Sequence, residues 1–544
     1  MQKLDSVGFS TGLLILFSLG ATYILSSLGF FLDIPLSVFT FPCGVLSAFL
    51  ALVRFVRFRT LLVSAAAYTG IFFLTAFLTA HLYDFSYDGQ CYHQEMVVLL
   101  AEGWNPFLQP AGHAGTSIWS LHYAKCLETL AATICILFHD VEIGKSVNLL
   151  LVISTALLAW YISGHMYPRI RTWRKWLYTI LLILNPVGCA QVLSYYTDFS
   201  LYYYILLSIG FGFLIYKDIC RNVSGIGLFM VIILGAGTKF NIFFFTGLTV
   251  LGMLVWFMLK KDYRAFRRVM LISLTAAILG SLVISYHPYV TNFRTAGNPL
   301  YPLLGEGAED IMTGNTPEEF LGNNRFTNFI LSYSTPTRAP YTDSRINGFG
   351  MSFGLLLLIG VISSACRICR NRKVTAEDYV VILSIASAFI FAQSWWARYN
   401  PQLWLVVPIT FLKMVRSGRK WIPIAYFATA MLCIIPVSGL AVTASYKKSA
   451  YIKAARQVLA GRTVEGSCIF PQTIYQYTPY GITFTSVPLD SIPAAERFSL
   501  DGYFQGGHDS LTILRVDQAD QKEVWDSMGF ARYIFRSTKP DFIP

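Results

Sequence analysis

Apolar runs of roughly 17–25 residues recur along most of this 544-residue chain, and no other feature limits its fold so strongly. Each run can cross a ~30 Å hydrocarbon core. Backbone amides at that depth must be satisfied within the segment, so each run is expected to be a helix. The candidates fall at about 11–32, 36–53, 60–80, 146–165, 177–193, 199–216, 223–237, 240–259, 269–286, 350–365, 378–394, 402–415 and 421–441. Only 13% of the residues are charged, against about a quarter in a soluble protein. An ordinary water-soluble fold is excluded. The first run has no small-residue cleavage site and is followed at once by another, which predicts a retained helix.

A formal charge of +12 invites a nucleic-acid reading, which its distribution rejects. Six short hinges carry 22 of the 42 Lys and Arg residues, including Arg54, Arg57 and Arg59, Arg169 to Lys175, Lys260 to Arg268 and Arg367 to Lys373. The longer segments on the alternate side, before residue 445, carry eight Lys and Arg residues and fifteen acids. Basic hinges stay cytoplasmic, so the excess charge reads as topology, with no nucleic-acid partner. Cys366 and Cys369 form a CxxC with no second ligand pair, too few for a zinc site.

The expected architecture is a polytopic α-helical membrane protein of about thirteen transmembrane helices. A membrane module spans 1–444, with outer segments at about 81–145, 194–198 and 286–350. Within the first of these, Ser117 to Phe138 is expected to lie along or dip into the outer interface, because counting it as a crossing would put the Arg169–Lys175 cluster outside. The third is long enough to predict a functional loop. Residues 445–544 change composition, and their short alternating runs predict a small extracytoplasmic α/β domain.

Ionisable residues sit where several helices should leave the bilayer, a position that suggests function. Asp88 opens the first outer segment in the run YDGQCYHQEMVVLLAEGWNPF from Tyr87 to Phe107, with Asp84 four residues before it. Asp198 follows Ser194-Tyr195-Tyr196-Thr197, Lys239 lies at an outer turn, and Arg398 lies in Trp395-Trp396-Ala397-Arg398-Tyr399. Arg294 and His287 of the third segment are candidates to join them. This inventory suits transfer of a group from a lipid phosphate. A carboxylate takes the proton of an acceptor hydroxyl, and fixed cations stabilise the departing phosphate. The same residues have plainer readings: Asp88 and Asp198 as helix caps, Lys239 snorkelling to headgroups, Arg398 as an aromatic-belt anchor, and His93, His113, His122 and Lys125 as solvated polar groups.

At these residues the chain resembles the GT-C superfamily of membrane glycosyltransferases, chiefly the aminoarabinose transferase and protein O-mannosyltransferase branch. Asp88, Tyr92, Gly103, Pro106 and Phe107 match the first-loop pattern in order and spacing, with Gly89 where the family has Glu. Lys239, Arg398-Tyr399, Asp198 and Gly297-Asn298-Pro299-Leu300-Tyr301-Pro302 resemble its later motifs. The resemblance covers about residues 60–440 and implies a polyprenyl-phosphate-linked sugar as donor. It also implies a glycan or lipid hydroxyl as acceptor and a single inverting displacement at the periplasmic face of a bacterial inner membrane. Asp88 would be the base, and Lys239, Arg398 and Arg294 would hold the donor phosphate. Asp84, Tyr92, His93, Trp104, Asp198 and Tyr399 would line the substrate pocket. A divalent cation at Asp198 stays open. Two other readings stand beside it: an O-antigen-type polymerase or ligase using diphosphate-linked donors through Arg294, Arg325, Arg338 and Arg345, and a lipid or solute transporter.

Overall fold

In the computed structural model, residues 4–109, 116–310, 313–335, 343–418, 421–500 and 512–534 are described. Arg338 and His113 lie outside them. Every apolar run of the sequence is helical. Among the described residues nine helices are long and apolar enough to cross a membrane: Val7–Phe31, Phe58–Thr79, Val141–Met166, Phe199–Tyr216, Arg221–Thr238, Phe240–Leu259, Tyr263–Ile284, Phe353–Asn371 and Trp421–Val458. The chain is a multi-pass membrane protein. The other four runs form shorter helices, Thr40–Val53, Thr172–Ile183, Ala376–Ala388 and Val406–Arg416. The expected count of thirteen full-length crossings is therefore not reached by length and composition.

One of those short helices shows how a break is tolerated inside an apolar bundle. Thr172–Ile183 stops before Asn185-Pro186, because proline lacks an amide hydrogen and disfavours helical backbone in the residue before it. The orphaned carbonyls of its last turn would be costly at this depth. Buried aromatic side chains take them up. Trp404 Nε1 donates to Leu181 O at 2.8 Å, Tyr202 OH to Leu182 O at 2.8 Å, and Tyr203 OH to Ile183 O at 3.1 Å. A new helix, Pro186–Gln191, then starts with Asn185 capping Gly188 N and Pro186 in its first turn.

Two expectations need correction. The segment Ser117 to Phe138 is two helices, Ile118–His122 and Cys126–Phe138, separated by extended backbone at Tyr123. The second does not lie on a surface. Its residues Cys126 to Cys135 are buried against the first helix and Gln94–Ala101, and its one acid, Glu128, is paired with His93. Nor is residue 444 a break, because Trp421–Val458 runs through it without interruption.

That helix carries the C-terminal unit. Its sheet has the order β2-β1-β4-β3, with β1 Thr463–Ser467, β2 Thr483–Ser486, β3 Arg497–Ser499 and β4 Ile513–Arg515. β1 and β2 are parallel, joined through the helix Pro471–Tyr477, and β4 is antiparallel to β1 and β3. Val464, Tyr477, Ile482, Phe498 and Leu514 form a core with Tyr451, Ile452 and Ala455 of the long helix and with Tyr83 of the first long loop. The unit is thus bonded by its core to the membrane module.

Trp404→Phe keeps an aromatic ring but removes the indole N–H, leaving Leu181 O without its donor and opening space at a fully buried position. It is expected to cost about 1–3 kcal/mol, read as a lower unfolding temperature in detergent.

Candidate functional site

Five chain segments far apart in sequence, those carrying Asp88, Asp198, Lys239, Asp343 and Arg398, meet at the helix ends opposite the basic hinges. The first leaves Phe58–Thr79, bends through Asp84 and Ser86, and enters a π-helical turn, Gly89–His93, before the helix Gln94–Ala101. Asp84 is buried, and its carboxylate is taken up by the backbone: Ser86 N at 2.8 Å and Tyr195 N at 3.1 Å. A Cβ on Gly89 would lie 1.9 Å from Asp84 Oδ2 and 2.3 Å from Ser86 Oγ. The carboxylate of Asp84 thus occupies the space that a side chain at position 89 would need. Through Tyr195 the same carboxylate ties this loop to the segment carrying Asp198.

Asp88 emerges from that bend toward Arg398. Its Oδ2 lies 3.1 Å from Arg398 Nη1 across 310 residues of sequence, and Tyr92 OH donates to the same oxygen at 3.2 Å. Arg398 sits in a short 3-10 turn, Ala397–Tyr399. Asp343 Oδ1 approaches the same Nη1 at 2.9 Å, and Asp198 Oδ2 at 3.9 Å. Asp198 precedes the helix Phe199–Tyr216 without capping it, so its Oδ1 is available to Lys239 Nζ at 2.9 Å. Lys239 is the extended residue between the helices Arg221–Thr238 and Phe240–Leu259. The rings of Trp396, Tyr196 and Tyr399 lie 4.6, 5.1 and 5.2 Å from the Arg398 guanidinium.

Three carboxylates therefore share two cations in a buried setting. Burial opposes the charge of Asp198, yet Lys239 and Arg398 outweigh it and hold this carboxyl below the usual range. The amino terminus of the following helix adds to that preference. Burial likewise opposes Lys239 and Arg398, whose acidic partners nevertheless raise both. Asp343 goes the other way. Its burial outweighs Arg398 and Arg345, the nearby Asp88 repels it, and its carboxyl is raised.

Access distinguishes the members. The Asp88 side chain is 18% exposed, Lys239 12%, Arg398 7% and Asp198 0%. Both donors to Asp88 bind Oδ2, so among the described residues Oδ1 accepts no hydrogen bond. It is an oriented carboxylate with one oxygen to offer.

Not every sequence candidate joins this cluster. His93 pairs with Glu128 at 2.5 Å, and its ring lies 4.3 Å from that of Tyr92. Trp104 lies under Lys125, whose Nζ is 2.6 Å from His287 Nε2 and donates to Tyr123 O at 2.8 Å. Burial pulls the Lys125 ammonium down to about 7, against Glu128 and Glu95. Burial and Lys125 together push His287 well below its ordinary value. These residues form a second polar cluster that adjoins the first through Tyr92. Arg294 is exposed and bonds Tyr286 OH at 3.0 Å, away from both groups. Arg325 donates to Phe389 O and Ile390 O, and Arg345 binds Asp343 and Asn315. The loop arginines described do not converge on one another.

Asp343 was missed in the sequence. Its signal was its isolation, since it is the sole acid between Glu319 and Glu377 and lies in the long third segment. Among the described residues no group of three or more His, Cys, Asp or Glu side chains is placed to hold a metal ion. Arg398 itself stands where the carboxylates converge.

The sequence matches no protein-family model and no curated protein. The fold is similar to the crystal structure of ArnT from Cupriavidus metallidurans in the apo state, at 10% sequence identity and a TM-score of 0.49, covering 83% of this chain and 98% of that one.

Asp198→Asn leaves the half-buried Lys239 without its acid and is expected to cost up to about 3 kcal/mol at pH 7. The folded-state pKa of Asp198 is depressed, so its contribution is present above an unfolded value of about 3.9 and is lost as pH falls through the folded value. The unfolding temperatures of wild type and variant in detergent should therefore converge as pH drops below about 4.

Proposed function

We propose that this chain is a GT-C-type glycosyltransferase that moves a sugar from a polyprenyl-phosphate donor to a hydroxyl acceptor by a single inverting displacement. The observation that carries this reading is the Asp88–Arg398 contact, which puts an oriented, partly exposed carboxylate beside the Asp198–Lys239 pair. The matched first-loop residues from Asp88 to Phe107 support it independently.

In this reading Asp88 Oδ1 takes the proton of the acceptor hydroxyl. The acceptor oxygen attacks the anomeric carbon from the side opposite the phosphate. The bond between that carbon and the phosphate oxygen breaks, and the electron pair leaves with the polyprenyl phosphate. Lys239 and Arg398 stabilise the charge growing on it. Both cations already bind acids, so the donor phosphate replaces Asp343 on Arg398, and the raised carboxyl of Asp343 eases that exchange. Asp198 stays buried and keeps Lys239 in place. Tyr92 and Tyr399 border the sugar, His93 and Trp104 act from the adjoining polar cluster, and Arg294, which bonds Tyr286 OH away from the cluster, takes no part.

An apolar cavity of about 430 Å³, which reaches Lys217 and Arg416 at the basic-hinge end of the bundle, has room for part of a polyprenyl chain. It lies along the helices that carry Asp198 and Lys239 at their ends, and its lining runs from Ile205 to Lys217 on the first of these. It starts seven residues past Asp198, about 10 Å along the helix at 1.5 Å per residue. By the positive-inside rule the carboxylates and the C-terminal unit face outward, the periplasm if the membrane is a bacterial inner membrane.

The test is transfer by purified protein in detergent from a labelled polyprenyl-phosphate sugar to a lipid-linked glycan. Asp88→Asn should lower kcat about 10²–10⁴-fold while the protein stays folded. Undiminished transfer by Asp88→Asn removes it as base. Reaction with diphosphate-linked donors alone moves the chain to the polymerase class, and flux without covalent transfer moves it to the transporters.

A further inference from the structure

The short helix Pro471–Tyr477 is where the C-terminal unit reaches the segment that presents Asp88. Gln472 on this helix is buried, and its Nε2 donates to Gln90 O at 2.6 Å. Gln90 lies inside the π-helical turn Gly89–His93, two residues past Asp88. A π turn shifts the main-chain register and is found mostly as a single turn inside an α-helix. A side chain from a distant unit holds one of its carbonyls.

One turn along, Gln476 Nε2 donates to Gln94 Oε1 at 3.3 Å, while Gln476 Oε1 accepts from Arg456 Nη2 at 2.7 Å. Arg456 reaches in turn to Tyr83 OH at 3.1 Å. Gln94 Nε2 approaches Asp84 Oδ2 at 3.5 Å. A polar cavity of about 30 Å³ at this seam is lined by Asp84, Gln90, Gln94, Gln472 and Gln476 among others. The Asp88 bend is thus gripped on both sides, through Asp84 before it and Gln90 and Gln94 after it. Tyr475 and Tyr83 add apolar packing at this seam, and the hydrogen bonds fix its orientation.

We infer that Gln472 and Gln476 are positioning residues through which the C-terminal unit sets the direction of the Asp88 carboxylate. Neither touches the reacting atoms. Resting on the proposed role of Asp88, this makes the unit a structural part of the catalytic centre. A carboxylate turned by about 1 Å loses alignment with the acceptor hydroxyl and about 10² in rate.

The experiment compares wild type with Gln472→Glu, which keeps the side-chain shape and sets an oxygen against Gln90 O. Hydrogen–deuterium exchange in detergent is followed for the amides of residues 84–98, with Phe199–Tyr216 as reference. Exchange at 84–98 should rise about tenfold with the reference unchanged. In the transfer assay kcat should fall about 10–100-fold with the donor KM within twofold of wild type. Gln476→Glu keeps the bond from Arg456 and loses the one to Gln94, so a smaller rise is expected. It also serves as the readout if Gln472→Glu does not fold. Unchanged exchange at 84–98 in the folded variants overturns the inference, as does a higher donor KM at unchanged kcat. Exchange is read without substrate, so a wild type inactive with every donor would remove the function while leaving the positioning role to be judged on its own.

Discussion

One guanidinium, that of Arg398, organises the face of the molecule where chemistry is proposed. It is buried, it meets Asp88, Asp343 and Asp198, and it lies among the rings of Trp396, Tyr196 and Tyr399. A buried guanidinium without acids would be prohibitively costly, and three crowded carboxylates without a cation would not all ionise. Each side of the cluster therefore depends on the other, and the segments that supply them are fixed relative to one another. Arginine suits this place because its planar fork can address several oxygens and stack on rings at once.

The rest of the fold keeps that cluster at the ends of rigid elements. Asp198 and Lys239 lie at the ends of long apolar helices, so their positions are set by helix packing. Asp88 and Arg398 sit on short turns and need other support. Asp88 receives it from Asp84 and the C-terminal glutamines, and Arg398 from the acids and rings around it. The aromatic side chains that finish the broken helix at Ile183 obey the same constraint in the apolar interior. Where backbone leaves the helix, a side chain must supply the missing hydrogen bond.

Local features were legible in the sequence. Apolar runs gave every long helix, because burying such a run and satisfying its backbone need no knowledge of its neighbours. The acids and cations at helix ends stood out for the same reason, and four of them, Asp88, Asp198, Lys239 and Arg398, meet in the structure. The failures concern what a side chain faces. Asp84 was expected to line the substrate pocket, and it is buried with its carboxylate bonded to backbone amides. Ser117 to Phe138 looked interfacial because counting it as a crossing would put the Arg169–Lys175 cluster outside, and such charge counting is blind to the packing of Cys126–Phe138 and the pairing of Glu128 with His93. Arg294 has the right charge in the right loop and points elsewhere.

The sequence by itself determined that this chain crosses a membrane many times. Its alternating charge also determined which helix ends share a face. Both follow from the cost of moving polar groups into hydrocarbon, which acts on each segment alone. Only the tertiary structure decided that Asp343 belongs with Arg398, that Gly89 yields its space to Asp84, and that a helix beyond residue 470 grips the turn after Asp88. These are contacts between segments tens to hundreds of residues apart. They are fixed by how whole helices pack, which no local pattern encodes.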